Sequence, residues 1–288
     1  MFYVVSTANV VDFEYARFIS PRPAAFYENP KTKIAALAVG VLAVFVTYAG
    51  LTDRVNPIYP GVQIESGKYN ALWPGVPCSA GVPIQYSQWG GSLGFLIASH
   101  CTDPGDWQKL VFQPYFAWAG DNNYAGYTVD WGTNNAYYEL DRAKPDAAVW
   151  WVANRDVSYY VITELCGWRQ SWAPVIEVIP DVQLAYSYGA WKIGYATSCT
   201  GSDDAQLIPD DRYSGRVYAV AYSKMSAQNH DSGGIVFRAG CKDTLCGVRA
   251  IGIVIGGIPP GGPPYSYTLV QSADYAIKYY GVYPYVAK

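Results

Sequence analysis

Histidine is almost missing from this chain: 288 residues hold two, His100 and His230. Any reaction that needs an imidazole near neutral pH therefore has two candidates. Charge is scarce as well, with 20 Lys+Arg against 23 Asp+Glu and a net charge of −3, and no basic run is present to neutralise phosphates. Nucleic acid is not an expected partner. No Cys-x-x-Cys occurs and neither histidine sits in a zinc-ligand spacing, so the six cysteines are expected as disulfides, with no metal and no cofactor. The acidic pairs Asp203-Asp204 and Asp210-Asp211 are read as solvated turns rather than calcium ligands.

What the chain has in quantity is tyrosine (27), tryptophan (10), glycine (28) and proline (19), a mixture that favours short strands joined by tight turns. One long apolar run stands apart. Residues 34–51 contain no charge, and as a helix they would measure about 27 Å, close to the hydrocarbon thickness of a bilayer. Arg22, Lys31 and Lys33 precede the run, so the positive-inside bias puts residues 1–33 in the cytoplasm and the remainder outside. The expected organisation is a cytoplasmic tail (1–33), a single-pass anchor in the membrane (34–51), a linker (52–60) and one extracytoplasmic domain (61–288). The competing reading is secretion after signal cleavage, with Thr47-Tyr48-Ala49 as the cleavage site. All six cysteines fall after the run, as an oxidising exterior would require.

Beyond residue 61 the texture is β. Apolar and polar residues alternate through Val82–Tyr86, Val175–Ile179 and Arg216–Tyr222. Short apolar runs at Leu93–Ala98, Ala147–Val152, Gly234–Phe237 and Ala250–Ile255 predict buried strands. The segment 272–281 opens on Ser272 and closes on Gly281, which predicts a short C-terminal helix. Cys241 and Cys246, five apart, suit the closure of a hairpin.

Three segments carry chemistry. Ile97-Ala98-Ser99-His100-Cys101 supplies an imidazole, and Pro145-Asp146 supplies a carboxylate immediately before a buried run. Asn229-His230-Asp231-Ser232-Gly233-Gly234 supplies a hydroxyl followed by glycines. A serine becomes nucleophilic when a base takes its proton, and that base needs a carboxylate to fix its tautomer. His100 is the candidate base, Asp146 the orienting carboxylate and Ser232 the nucleophile. The plain alternatives are a structural histidine, a turn aspartate after Pro145 and a glycine-rich hairpin. Asp130 and Asp141 are the rivals to Asp146, and Asp141 lies beside Arg142 and Lys144 as a solvated pair would.

Taken in order, these segments resemble a known family. Cys78-Ser79-Ala80-Gly81, Gly94-Phe95-Leu96-Ile97-Ala98-Ser99-His100-Cys101, Trp191-Lys192-Ile193-Gly194, the Ser232 loop and Ala250-Ile251-Gly252-Ile253-Val254-Ile255-Gly256-Gly257 are similar to motifs of the chymotrypsin-like serine proteases, streptogrisin and alpha-lytic protease branch. The resemblance spans residues 58–284. It implies an all-β fold of two perpendicular six-stranded barrels with the site between them, and a serine endopeptidase acting on peptides or proteins. It also implies a Cys78–Cys101 bond, which leaves Cys166 and Cys199 as a pair by elimination. The backbone N–H groups of His230 and Ser232 would form the oxyanion hole, although the family has glycine where this chain has His230. Asp231 would lie buried against a positive group that the sequence does not identify. Ser226 falls at the base of the specificity pocket, with Gly256 and Gly257 on its wall, and without an acid there apolar or aromatic side chains are the expected substrates. The competing reading is an inactive surface or filament protein on the same scaffold.

Overall fold

Apolar runs bounded by glycine, proline and short polar turns give 17 strands in the computed structural model, which describes residues 51–66, 76–86, 91–102, 109–114, 123–131, 144–210, 216–258 and 266–288. The tail 1–33, the apolar run up to residue 50, Asp141 and Asp211 lie outside the described residues. Among the described residues no helix is long and apolar enough to cross a membrane.

The first sheet is built from β1 (Gln63–Ser66), β2 (Val76–Ser79), β3 (Pro83–Tyr86), β4 (Ser92–Ile97), β5 (Lys109–Phe112), β6 (Tyr124–Trp131) and β7 (Ala148–Val152). The second begins with β8 (Tyr160–Ile162), β9 (Trp172–Val178), β10 (Tyr188–Gly194), β11 (Ser198–Gln206) and β12 (Ile208–Pro209). It continues through β13 (Val217–Ala221), β14 (Ile235–Lys242), β15 (Leu245–Ile258) and β16 (Tyr267–Ser272). Helix α1 (Ala273–Tyr280) and β17 (Tyr283–Pro284) finish the chain. As its sequence predicts, α1 is capped at both ends. Ser272 Oγ accepts from Tyr275 N at 3.2 Å, and Gly281 closes the helix in the left-handed region at φ 66°.

The sheets hold eight and nine strands, not six each. The additions include two strands of only two residues, β12 and β17, too short to show a period. β17 returns from the C-terminus to pair with β3, β12 adds to β13, and β9 with β8 adds parallel to β15. Segment 52–60, read as a linker, instead contributes Val55, Ile58 and Tyr59 to the core, together with Leu51. Gln113 holds this entry: its side-chain oxygen accepts from Val55 N at 2.9 Å and its amide donates to Asp53 O at 2.5 Å.

Packing explains why the motif segments meet. The larger core joins Ile84, Phe95, Leu96 and Trp150 of the first sheet to Phe237, Ala250 and Ile253 of the second. Phe95 stacks on Trp150 with centroids 5.3 Å apart, an anchor worth about 3–5 kcal/mol against truncation to alanine. Because β4 and β7 pair with Leu96 opposite Val149 and Ile97 opposite Ala148, the residues just beyond each strand, His100 and Asp146, leave the sheet together. The three disulfides are Cys78–Cys101, Cys166–Cys199 and Cys241–Cys246.

Candidate active site

His100 sits in a single turn, Ser99–Cys101, that follows β4. Its Nδ1 lies 3.0 Å from Asp146 Oδ2. The other carboxylate oxygen accepts from Ser99 N (3.1 Å), Ser99 Oγ (2.6 Å) and His100 N (3.2 Å). Asp146 is 3% exposed, so these donors replace water around a desolvated charge. An ionised carboxylate only accepts, which assigns the proton to Nδ1 and leaves the Nε2 lone pair open. Burial works against the imidazolium, but the Asp146 charge and its hydrogen bond outweigh it and hold His100 above its ordinary pKa of 6.5. Gln271 of β16 reaches across from the second sheet, its side-chain oxygen accepting from Asp146 N at 3.0 Å. Of the two rivals, Asp130 lies in β6 with its side chain outside the described residues, as is all of Asp141.

The Ser232 loop is a tight turn leading into β14. Gly233 stands at φ 85°, and a β-carbon there would come within 2.3 Å of Ser79 O, so the position excludes a side chain. Gly233 N donates to Val254 O at 2.7 Å and Gly234 N to Asp231 O at 2.8 Å. From the first sheet, Ser79 N donates to Ser232 O at 2.8 Å, and Cys101 Sγ lies 3.9 Å from that same oxygen. Ser232 is thus seated against the neighbour of His100. Among the described residues its hydroxyl makes no hydrogen bond, to His100 or to any other group. Among the described residues the N–H groups of His230 and Ser232 also have no acceptor, whereas that of Asp231 between them donates to Gln228 O at 3.1 Å.

His230 carries a cost. Its φ is 80°, in the region that L side chains avoid, and such a residue stores about 1–3 kcal/mol unless its surroundings hold it. Its exposed ring lies parallel to Tyr195, centroids 6.1 Å apart and 2° between planes. Burial, then the Asp231 and Glu65 charges, push the Tyr195 phenol up to about 12.

Asp231 is fully buried, and its positive partner is Lys192 of β10, whose Nζ lies 2.8 Å from Asp231 Oδ2 with both side chains 0% exposed. Thr197 Oγ1 donates to the same oxygen at 2.5 Å and Gln228 N at 3.0 Å, while Ala196 N and Thr197 N each donate to Oδ1 at 3.1 Å. Burial lowers the Lys192 pKa, and the Asp231 charge and hydrogen bond counteract it. Sequence reasoning did not identify Lys192. The one signal was a lone charge inside the strand Tyr188–Gly194, next to apolar neighbours on both sides.

Ser226 and Gly257 reach the same end of the second sheet. Thr268 Oγ1 donates to Met225 O at 2.6 Å, and Thr268 stands opposite Gly257 in the β15–β16 register. Gly256, at φ 149°, pairs with Leu269 just after the bulge in that ladder. Ser226 O accepts from Thr200 Oγ1 at 2.5 Å. Of the acidic pair Asp203-Asp204, Asp203 accepts from Trp191 Nε1 at 3.1 Å and Asp204 pairs with Lys224 at 2.5 Å.

No protein-family model and no curated protein matches the sequence. Solved structures match the fold. A glutamic acid specific serine protease that uses a histidine triad in substrate binding aligns at TM-score 0.53 and 17% identity, over 79% of this chain and 100% of that one. Protease A of Thermobifida fusca aligns at TM-score 0.49 and 18% identity, over 80% and 99%. The chymotrypsin of Cellulomonas bogoriensis aligns at TM-score 0.47 and 16% identity, over 80% and 99%.

Proposed function

On this chymotrypsin-like fold we propose that the chain is a serine endopeptidase, with Ser232 as nucleophile, His100 as general base and Asp146 as its orienting carboxylate. The observation that carries the reading is the 3.0 Å His100–Asp146 contact, which leaves Nε2 unprotonated on the residue next to Cys101, whose Sγ lies 3.9 Å from Ser232 O; among the described residues the Ser232 hydroxyl makes no hydrogen bond. In the proposed reaction Ser232 Oγ attacks the peptide carbonyl carbon and passes its proton to Nε2. The carbonyl oxygen, now negative, receives the N–H groups of His230 and Ser232, each donor contributing on the order of 10²–10³ in rate. His100 then gives the proton to the leaving amine as the C–N bond breaks, and water hydrolyses the acyl-enzyme by the same steps reversed.

Ser226, Gly256 and Gly257 are proposed to line the pocket for an apolar or aromatic side chain. The glutamic acid specific relative uses a histidine triad for its substrate, and this chain holds His100 and His230 only, so acidic specificity of that kind is not proposed. Residues 34–51 are proposed as a membrane anchor with the catalytic domain outside, and three disulfides support an extracytoplasmic setting.

The test is hydrolysis of casein and of peptide anilides carrying Phe, Leu, Glu or Arg before the scissile bond. Cleavage of the Phe and Leu substrates, abolished in Ser232→Ala, is expected. Folded protein without cleavage of any substrate would sink the reading and favour an inactive scaffold, for which the strained dihedral of His230 is the specific argument.

A further inference from the structure

Ser79 makes three hydrogen bonds to the half of the chain that forms the second sheet, two of them to the loop that carries Ser232. It is the last residue of β2 and is fully buried. Its N–H donates to Ser232 O at 2.8 Å. Its hydroxyl accepts from Tyr195 N at 3.0 Å and donates to His230 O at 3.2 Å. Tyr195 N only donates and the His230 carbonyl only accepts, so the hydroxyl's single proton is directed to that carbonyl.

That carbonyl belongs to the residue held at φ 80°. Rotation about φ swings a residue's carbonyl relative to its own N–H. Holding the His230 oxygen from outside therefore restrains the direction of the His230 N–H, which has no acceptor among the described residues. A glycine at this position would adopt the dihedral unaided, whereas a histidine needs something to hold it there.

We propose that Ser79 is a positioning residue of the oxyanion loop: its hydroxyl clasps the His230 carbonyl and thereby keeps a side-chain-bearing residue in a conformation that glycine would adopt freely. The proposal rests on the peptidase reading for its consequence in rate, but the clasp itself does not. Ser79 touches no reacting atom and acts through the two N–H groups that it aims.

The experiment is a double-mutant cycle on the full chain with Ser79→Ala and His230→Gly, read as kcat, KM and the rate of fluorophosphonate labelling. Ser79→Ala is expected to lower kcat on the order of 10-fold to 100-fold with KM changed by less than about twofold, because a misaimed donor is felt mostly in the transition state. In the His230→Gly background the same substitution is expected to cost less than about threefold, and in a His230→Ala background the full loss is expected to return. Equal losses in the glycine and histidine backgrounds overturn the proposal. A crystal structure of Ser79→Ala reads the clasp without activity: His230 is expected to leave the positive-φ region, and its staying there overturns the proposal even if the wild type proves inactive. Should Ser79→Ala fail to fold, the double variant decides, since recovery of folded protein by His230→Gly supports the clasp and continued failure contradicts it.

Discussion

Two buried aspartates, each shortly before a strand of a different sheet, are treated in opposite ways. Asp146, at the end of the first sheet, faces an imidazole whose side chain is 28% exposed. Asp231, at the entry to β14 in the second, faces an ammonium that is 0% exposed. Each carboxylate is surrounded by four or five donors. The difference lies in the cation. An imidazole reaching toward solvent can exchange a proton near neutral pH, while a sealed ammonium paired with a carboxylate fixes a loop in place. One pair suits proton transfer and the other suits architecture, and each should fail accordingly.

The largest expected effect follows from disabling the first pair. Asp146→Asn should lower kcat/KM about 10⁴-fold, since an amide in place of the carboxylate permits the wrong imidazole tautomer. Steady-state kinetics check this, and thermal unfolding should show the domain still folded. Lys192→Met should do the reverse. Stranding the Asp231 charge in the interior should cost about 3–5 kcal/mol of folding free energy by denaturant titration, with activity lost through the loop. Adding Asp231→Asn to that variant should restore much of the stability. An Asp146→Asn that unfolds the protein, or a Lys192→Met that leaves it stable, would break the contrast. Thr197→Val removes one hydroxyl donor from Asp231 and should cost about 1–3 kcal/mol by the same titration.

The pH response is smallest in energy and sharpens the comparison most. The folded pKa of His100 is raised above 6.5, so the pair's contribution to stability is fully present below 6.5 and is lost as pH rises through the folded value. Activity needs the neutral ring and appears over the same interval. Parallel pH profiles of kcat/KM and of thermal midpoint should therefore cross in opposite directions above pH 6.5, and Asp146→Asn should move the acid limb of activity downward.

The sequence made the first pair legible and hid the second for the same physical reason. His100 and Asp146 each stand at the end of an apolar run, where a polar residue has few other reasons to be. The partner of Asp231 lies 39 residues away, and its approach depends on the β10–β14 pairing that sets Lys192 opposite Val236. The Ser79 contact with His230 was equally invisible, because it spans 151 residues and the motif around Cys78 says nothing of where the hydroxyl points. Helix α1 was readable from its caps, since those signals are local. Edge strands of two or three residues, such as β12 and β17, have no period to detect. Residues 52–60 looked like a linker because of Asn56, Pro57 and Pro60, yet Val55, Ile58 and Tyr59 among them are buried.

The central claim is that Ser232 is activated by the His100–Asp146 pair. Treating the full chain with a fluorophosphonate at pH 8, digesting it and locating the adduct by mass spectrometry tests this most directly. A single adduct on Ser232 is predicted, with labelling at least about 10³-fold slower in His100→Ala. Unlabelled Ser232 in folded protein, or labelling that persists at full rate without His100, would contradict it.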